Sequence, residues 1–202
     1  MGSNTLIDIV GSYIIAGILL TFMLNLDRNI TQANYTSVND VVVQTNIVNA
    51  AKIIESDFRR IGYCANYANI PDPSKAIMSA TQNGISFITD VNGDGTVDTV
   101  TYSVGTAAAL TQTANPRDFM LYRKVKTGAT SSTTSFSIGL TQFQFQYYDA
   151  QEDSLAFPIS VPSSVYEMRL TMQLQSPFAY DTIYSYSYWR EMRLASRNLK
   201  NR

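Results

Sequence analysis

A long uncharged segment near the amino terminus constrains this chain more than any other feature. Residues 9–26 form an eighteen-residue run without a charge, between Asp8 on one side and Asp27 and Arg28 on the other. A helix of this length spans ~27 Å at ~1.5 Å per residue, close to the ~30 Å hydrocarbon core of a bilayer. The run lacks the basic region and the small-residue cleavage site of a secretory signal peptide, and it is long for the buried core helix of a globular domain. We therefore predict a transmembrane or filament-core helix over residues 1–28.

Asp8 is the unusual residue of this segment. A carboxylate at the edge of hydrocarbon is costly unless a positive group pairs with it, so an acid in this position is a candidate for function. The alternative is that Asp8 lies at the headgroup level, where a negative charge near the start of a helix is favoured by the helix dipole. The sequence alone leaves both interpretations open.

A second helical pattern follows the apolar run and predicts an amphipathic half of one long helix over residues 29–62. Apolar residues and one threonine recur at spacings of three and four, which is the period of one helical face: Val38, Val41, Thr45, Val48, Ala51, Ile54, Phe58 and Ile61. Gly62, directly after Arg59 and Arg60, predicts the end of the helix. Residues 29–39 are rich in Asn, Thr and Ser, which compete for backbone hydrogen bonds, so both continuous helix and partly extended chain remain open there.

The remainder of the chain, residues 63–202, predicts a β-rich globular head. Strand-like segments with alternating or β-branched residues are separated by Gly, Ser/Thr or Pro clusters: 85–88, 97–104, 119–125, 136–148, 165–174 and 183–194. Met168, Leu170, Met172 and Leu174 alternate with polar residues, which indicates a strand with one buried face. An antiparallel sheet of this kind can bury its apolar face against the amphipathic helix. The predicted class is therefore α+β.

The inventory of residue types excludes several classes of function. The chain has no histidine and one cysteine, Cys64, which excludes a Cys/His zinc site, a histidine-based catalytic triad and an intramolecular disulfide. A formal net charge of -1 provides no basic field for phosphates, so nucleic acid is not an expected partner. Carboxylate-only chemistry, as in a surface hydrolase, is the remaining enzymatic option, and no pair of acids stands out. We predict no enzymatic activity.

One acidic loop resembles the first part of a calcium-binding loop. Asp90, Asn92, Asp94 and Asp98 lie at relative positions 1, 3, 5 and 9, with a glycine at position 6, but Thr101 stands where an EF-hand has glutamate. Calcium is accordingly the one cofactor the sequence suggests. The alternative is a hairpin connection that uses Asn-Gly and Asp-Gly turn chemistry and needs no metal.

Several short motifs resemble those of type IV pilins and type II secretion pseudopilins. Thr5-Leu6-Ile7-Asp8 followed by Ala16-Gly17-Ile18-Leu19-Leu20 is similar to the Thr-Leu-Ile-Glu and Gly-Ile-Leu signature of that family, in the same register. Residues 57–63, Asp-Phe-Arg-Arg-Ile-Gly-Tyr, resemble the segment that closes the long helix in W-type minor pilins and J-type pseudopilins. The Asp-Val-Asn-Gly-Asp-Gly stretch with residues 98–102, and residues 197–199, also resemble that subgroup.

The resemblance implies a protein that is inserted in a bacterial inner membrane by a single span and then assembles into an extracellular or periplasmic filament. Its partners would be copies of itself or other pilin-like subunits, and a prepilin peptidase would process it. Asp8 would take the place of the family's acid, which neutralises the terminal amine of a neighbouring subunit. The apolar helix would form the filament core through a set that includes Ile9, Ile14, Ile18, Leu19 and Phe22.

The amino terminus departs from the family pattern. The family cleaves after a glycine that in this register falls at position 3, where the chain has Ser3, with Gly2 one residue earlier, and no basic leader precedes the run. A terminus that is already processed, cleavage after Gly2 with a shifted acid, and the absence of the usual processing all stay open. The leading hypothesis is a structural subunit of a pilus-like or pseudopilus filament. The alternative is a membrane-tethered surface binding or adhesin module that does not polymerise.

Overall fold

The computed structural model describes residues 2–178, 184–194 and 197–200 and confirms the α+β class. One long helix precedes seven β-strands and a short final helix. The elements are α1 (Gly2–Arg59), β1 (Ile77–Thr81), β2 (Gly84–Thr89), β3 (Asp98–Val104), β4 (Phe119–Thr127), β5 (Thr130–Tyr148), β6 (Glu167–Gln175), β7 (Tyr186–Leu194) and α2 (Arg197–Lys200). The chain separates into two compact units, residues 1–39 and 40–202, which are described in turn.

The first unit consists of the amino-terminal part of α1. The predicted apolar helix is present, and residues 29–39, whose conformation the sequence left open, are helical throughout. Two hydroxyls in the apolar run bond within the helix. Ser12 Oγ donates to the carbonyl of Asp8 at 2.7 Å, and Thr21 Oγ1 donates to the carbonyl of Gly17 at 2.8 Å.

The second unit contains a single seven-stranded antiparallel sheet whose strands follow one another in sequence order, from β1 to β7. The sheet curls, because the turn between β1 and β2 reaches strand β5. There the backbone N–H of Phe145 donates to the carbonyl of Gln82 at 2.8 Å, and Asn83 Nδ2 donates to the carbonyl of Phe143 at 2.9 Å. The curl creates a concave face on which a helix can pack.

The carboxyl-terminal half of α1 fills this concave face. Its buried side chains, Val43, Ile47, Ala51, Ile54 and Phe58, are at most 3% exposed. The Phe58 ring lies edge-on to two rings of the sheet, with centroids 5.6 Å from Phe87 and 5.7 Å from Tyr102, an arrangement that adds to the burial energy of the rings. The predicted packing of helix on sheet is thus confirmed.

The predicted buried face of the helix was only half right. Ala51, Ile54, Phe58 and Ile61 are buried as expected, whereas Val38, Val41 and Val48 are 62%, 60% and 39% exposed. At ~100° per residue, Val43 and Ile47 lie within about 60° of Phe58 around the helix, whereas Val41 and Val48 lie about 80–100° from it, on the flank of the helix. The helix therefore carries apolar residues on two faces, and the spacing rule joined parts of both.

The strand predictions were close but incomplete. The alternation in β6 is confirmed, with Met168, Leu170, Met172 and Leu174 at most 1% exposed. Strand β1 was missed, and part of the predicted last strand, including Ile183, lies outside the described residues. Helix α1 ends at Arg59, and Gly62 follows with a φ of 72°, in the left-handed region that glycine favours. A side chain there would also approach Pro73 Cβ to 3.0 Å.

Candidate functional site

The candidate site is the exposed apolar surface of the first unit, which is defined here as the apolar helix surface (residues 5–26). The five residues predicted for a filament core all lie on it: Ile9 is 53% exposed, Ile14 58%, Ile18 64%, Leu19 56% and Phe22 61%. Apolar side chains point outward all round the helix, and a helix of this kind is stable only in lipid or against other apolar helices. Of the described helices, α1 alone is long and apolar enough to cross a membrane.

Two hydroxyl groups inside the apolar helix surface are satisfied locally. Ser12 and Thr21 each return a hydrogen bond to the carbonyl four residues earlier. This bonding is how hydroxyl groups are accommodated where no water is present, since an unpaired donor in hydrocarbon costs several kcal/mol. The segment thus places few unpaired polar groups on its surface.

Asp8 lies at the amino-terminal side of the apolar run. Its side chain is exposed. Among the described residues its carboxylate takes part in no ion pair. The positive partner expected for this acid is thus not found in the described part of the chain, and both interpretations of Asp8 stay predictions.

A second apolar surface lies on the helical part of the head and is called the outer valine face. It consists of Val41, Val42, Val48 and Ile53, which are 60%, 46%, 39% and 41% exposed. These residues lie outside the buried stripe of α1, with Val41 and Val48 on one flank and Val42 and Ile53 on the other. Sequence reasoning missed this face because it assigned Val41 and Val48 to the core. The sequence contained this information, since residues 41 and 48 differ from residues 43 and 47 in helical phase by about a third of a turn.

A buried ion pair ties the helix to the sheet. The Asp57 carboxylate accepts hydrogen bonds from Arg123 Nε at 2.6 Å, from Arg123 Nη2 at 3.0 Å and from the Tyr102 hydroxyl at 2.6 Å. The side chains of Arg123 and Asp57 are only 17% and 12% exposed. Burial and the neighbouring Asp57 charge raise the pKa of Tyr102 far above its ordinary value, and the hydrogen bonds to Asp57 raise the pKa of Arg123. Tyr102 and Arg123 therefore both keep their protons at neutral pH.

The sequence did not reveal this network, because Arg123 lies 66 residues after Asp57. Two features could have indicated the ion pair: an arginine after the apolar start of β4, and an acid beside the apolar stripe of α1. The network fixes α1 on strands β3 and β4, where Tyr102 and Arg123 face each other across the ladder. We assign it a positioning role for the helix.

The predicted calcium residues lie in the loop between β2 and β3 and, for Asp98, at the first residue of β3. Asp90 is fully buried, and its carboxylate accepts backbone N–H bonds from Ala65, Gly93, Asp94 and Gly95 at 3.1, 2.6, 3.2 and 2.8 Å. Burial disfavours its charge, but these bonds outweigh the burial and hold the pKa of Asp90 below its usual value. Asp90 thus organises the loop and fastens it to the chain after α1.

The other three predicted ligands are also engaged in hydrogen bonds of the loop. Asn92 Nδ2 donates to Asp94 Oδ2 at 2.8 Å, and Asp94 Oδ1 accepts the N–H of Thr96 at 2.7 Å. Asp98 accepts the N–H of Val91 at 2.9 Å and the hydroxyl of Thr127. No cluster of three or more His, Cys, Asp or Glu residues suited to a metal occurs in the described ranges. This bonding supports the turn interpretation, and calcium binding stays a prediction.

A surface groove of about 610 Å³ lies between β1 and the segment 157–162. Its walls are formed by apolar, hydroxyl and amide side chains such as Met78, Thr81, Gln82 and Phe157, with no Asp or Glu among the lining residues. A carboxylate-dependent hydrolase requires two acids in one cleft. The groove offers packing and hydrogen bonding rather than acid–base chemistry.

Comparison with known proteins gives no family assignment. No protein-family model matches the chain, and no curated protein matches it significantly. The resemblance to pilins and pseudopilins therefore stays a prediction that depends on the motifs quoted above.

Proposed function

We propose that this protein is a structural subunit of a type IV pilus-like or pseudopilus filament and that it assembles through the apolar helix surface. The observation that carries the proposal is the all-round apolar exposure of residues 5–26 in a helix that continues into a packed β head. A helix that is apolar on every side requires lipid before assembly and neighbouring helices afterwards. A filament of such helices supplies the second environment.

The outer valine face supports the same proposal from the head. Apolar residues on a helix normally point to the core of their own domain, yet Val41, Val42, Val48 and Ile53 point away from it. Single exposed apolar residues are ordinary, but four on the exposed side of one short helical segment give another protein apolar area to cover. In the proposed filament this surface is covered by adjacent subunits.

Asp8 has a defined role in this proposal. Its carboxylate accepts the positive charge of a neighbouring subunit's terminal amine, which removes the cost of placing both charges at the edge of an apolar core. The protein waits in a bacterial inner membrane as a single-pass subunit before it enters an extracellular or periplasmic filament. The alternative function is a membrane-tethered binding module, for which Asp8 has no assembly role.

The experiment compares Asp8→Ala with Asp27→Ala in the native host. The two acids flank the same uncharged run, so Asp27→Ala is a matched control for the loss of a flanking charge. Sheared surface material and membranes are assayed by immunoblot, and filaments are imaged by cryo-electron microscopy. We expect Asp8→Ala to remain in the membrane without filaments, Asp27→Ala to assemble, and Asp8→Glu to retain assembly.

Two other outcomes would contradict parts of this proposal. If Asp8→Ala enters filaments as the unchanged protein does, Asp8 has no role in assembly. If the unchanged protein is found only as membrane-bound monomers, the filament proposal is wrong and the tethered binding module takes its place.

A further inference from the structure

The first half of β5 forms an open sheet edge in the head. Residues 130–136 pair with β4 on one side, whereas β6 pairs with β5 only from Leu140 to Tyr148. Residues 130–135, Thr-Ser-Ser-Thr-Thr-Ser, are all exposed. This segment is named the β5 edge.

The turn that precedes the β5 edge determines which of its backbone groups point outward. Gly128 and Ala129 form a two-residue hairpin loop between the paired residues Thr127 and Thr130, and Gly128 has a φ of 57°. In a hairpin of this kind the flanking pair exchanges both hydrogen bonds, and the bonding direction then alternates along the strand. Ser132 and Thr134 therefore bond to β4.

Ser131, Thr133 and Ser135 have the opposite orientation, with N–H and C=O groups directed away from β4. In the described part of the chain no backbone bond reaches them. Their side chains lie on the face that carries Tyr122, Lys124 and Lys126 of β4, which are the cross-strand neighbours of Ser135, Thr133 and Ser131. The edge thus presents a row of free donors and acceptors to solvent.

This edge lacks the features by which proteins usually block strand pairing. Natural edges carry lysine, proline or a bulge, but residues 130–135 contain only Ser and Thr, and the β4 pairing is regular from Leu121 to Thr127. Threonine favours the extended conformation, and Ser/Thr pairs across antiparallel strands are stabilising. The segment is therefore suited to pairing with an uncharged extended strand.

We propose that the β5 edge is a self-association site, at which the heads of two copies join by antiparallel pairing of residues 131–135 about a two-fold axis at Thr133. The segment is self-complementary in this arrangement. The outward backbone groups of Ser131 pair with those of Ser135 in the second copy, and those of Thr133 pair with Thr133 of the second copy. The pairing would form up to about six N–H···O bonds and make one continuous sheet from two.

The lysines of β4 do not oppose this contact. In the joined sheet the two β4 strands are separated by three strand spacings, or ~14 Å, which exceeds the Debye length of ~8 Å at physiological salt. A contact of five residues from each copy is small beside the ~1,000 Å² of a stable dimer. The association is therefore weak for isolated molecules and strong only where many copies are held together, as on a membrane. This inference does not depend on the filament proposal.

Cysteine cross-linking of the full-length chain in its membrane tests the geometry. The native Cys64 is buried and is replaced in a Cys64→Ala background, and thermal unfolding confirms that each variant is folded. In the proposed pairing two copies of residue 133 have Cα atoms ~5.5 Å apart, within the range that a disulfide bridges. Two copies of residue 132 are diagonal and farther than ~7 Å apart.

We expect Thr133→Cys to give several-fold more disulfide-linked dimer than Ser132→Cys under mild oxidation. We also expect Thr133→Pro to weaken head association, since it removes an outward N–H without breaking the ladder to β4. Equal cross-linking at the two positions would overturn the proposal, whether the yield is low or is high because of random collision. Adding Asp8→Ala separates the two proposals, because the cross-link is expected to persist in that variant.

Discussion

Replacement of Asp57 tests how strongly the buried ion pair holds the helix on the sheet. In Asp57→Ala the Arg123 charge, 17% exposed, and the Tyr102 hydroxyl lose their common acceptor. Breaking a buried pair by removal of one partner typically costs 3–5 kcal/mol. Because both charged side chains keep slight exposure, we expect the lower limit, about 3 kcal/mol, which corresponds to a decrease in Tm of about 6–12 °C.

The assay is thermal and urea unfolding of the full-length chain in detergent, followed by the fluorescence of Trp189, the single tryptophan of the sequence. Glu55→Ala is the matched control, because it breaks an exposed ion pair of the same helix. The side chains of Glu55 and its partner Arg59 are 33% and 73% exposed. Exposed pairs of this spacing contribute about 0.5 kcal/mol or less. The double variant Asp57→Ala with Arg123→Met is expected to regain part of the loss, since no uncompensated charge remains.

The reasoning would be refuted by an Asp57→Ala variant that loses no more stability than Glu55→Ala. It would also be refuted if the two substitutions were additive in the double variant, because partners in one network couple by about 0.5–3 kcal/mol. Additivity would mean that Asp57 and Arg123 stabilise the head independently.

Three further outcomes follow from the head. Gly139→Ala should lower the free energy of unfolding by at least about 2 kcal/mol, since the added Cβ would lie 2.0 Å from the Gln175 carbonyl oxygen and φ is 76°. Gly128→Ala is the control: its φ is also positive but its Cβ would meet open space, so it should cost about 1 kcal/mol in the same unfolding assay. Asp90→Asn should flatten the acid limb of a plot of unfolding free energy against pH. The folded-state pKa of Asp90 lies below its ordinary 3.8, so the stability that its carboxylate adds is complete above pH 3.8 and is lost as the pH falls through the folded-state pKa. Calcium titration should leave Tm unchanged if the loop is the hydrogen-bonded turn, and a rise in Tm would establish the calcium site instead.

Much of the architecture could be predicted because it depends on local pattern. The end of the long helix followed from Gly62 after two arginines, and the buried face of β6 followed from strict alternation. Strand β1 escaped because Ile-Met-Ser-Ala-Thr has no period of two, and its ladder contains a register shift between Ile77 and Ser79. A bulge of this kind disrupts the alternation on which strand prediction depends.

The side-chain relationships that cross the fold could not be predicted in the same way. The apolar helix surface was evident, since every residue of the run carries the signal. The bond between Asp57 and Arg123 depends on which strand lies over the end of α1, and no local pattern encodes that. The acids of the β2–β3 loop show a further limit, because the same residues and spacing serve a metal site or a backbone-bonded turn.

The sequential order of the strands has a consequence for how the head is made. Every strand pairs with the one synthesised just before it, so the sheet can grow one hairpin at a time as the chain emerges. The helix that lines its concave face is synthesised first, and Ile54 and Phe58 stay uncovered until the later strands fold over them. The buried side chains of β6, Met168 to Leu174, join the same core more than a hundred residues downstream of Ile54. During that interval the apolar stripe of the helix is uncovered, and a chaperone or the membrane surface has the largest apolar area to shield.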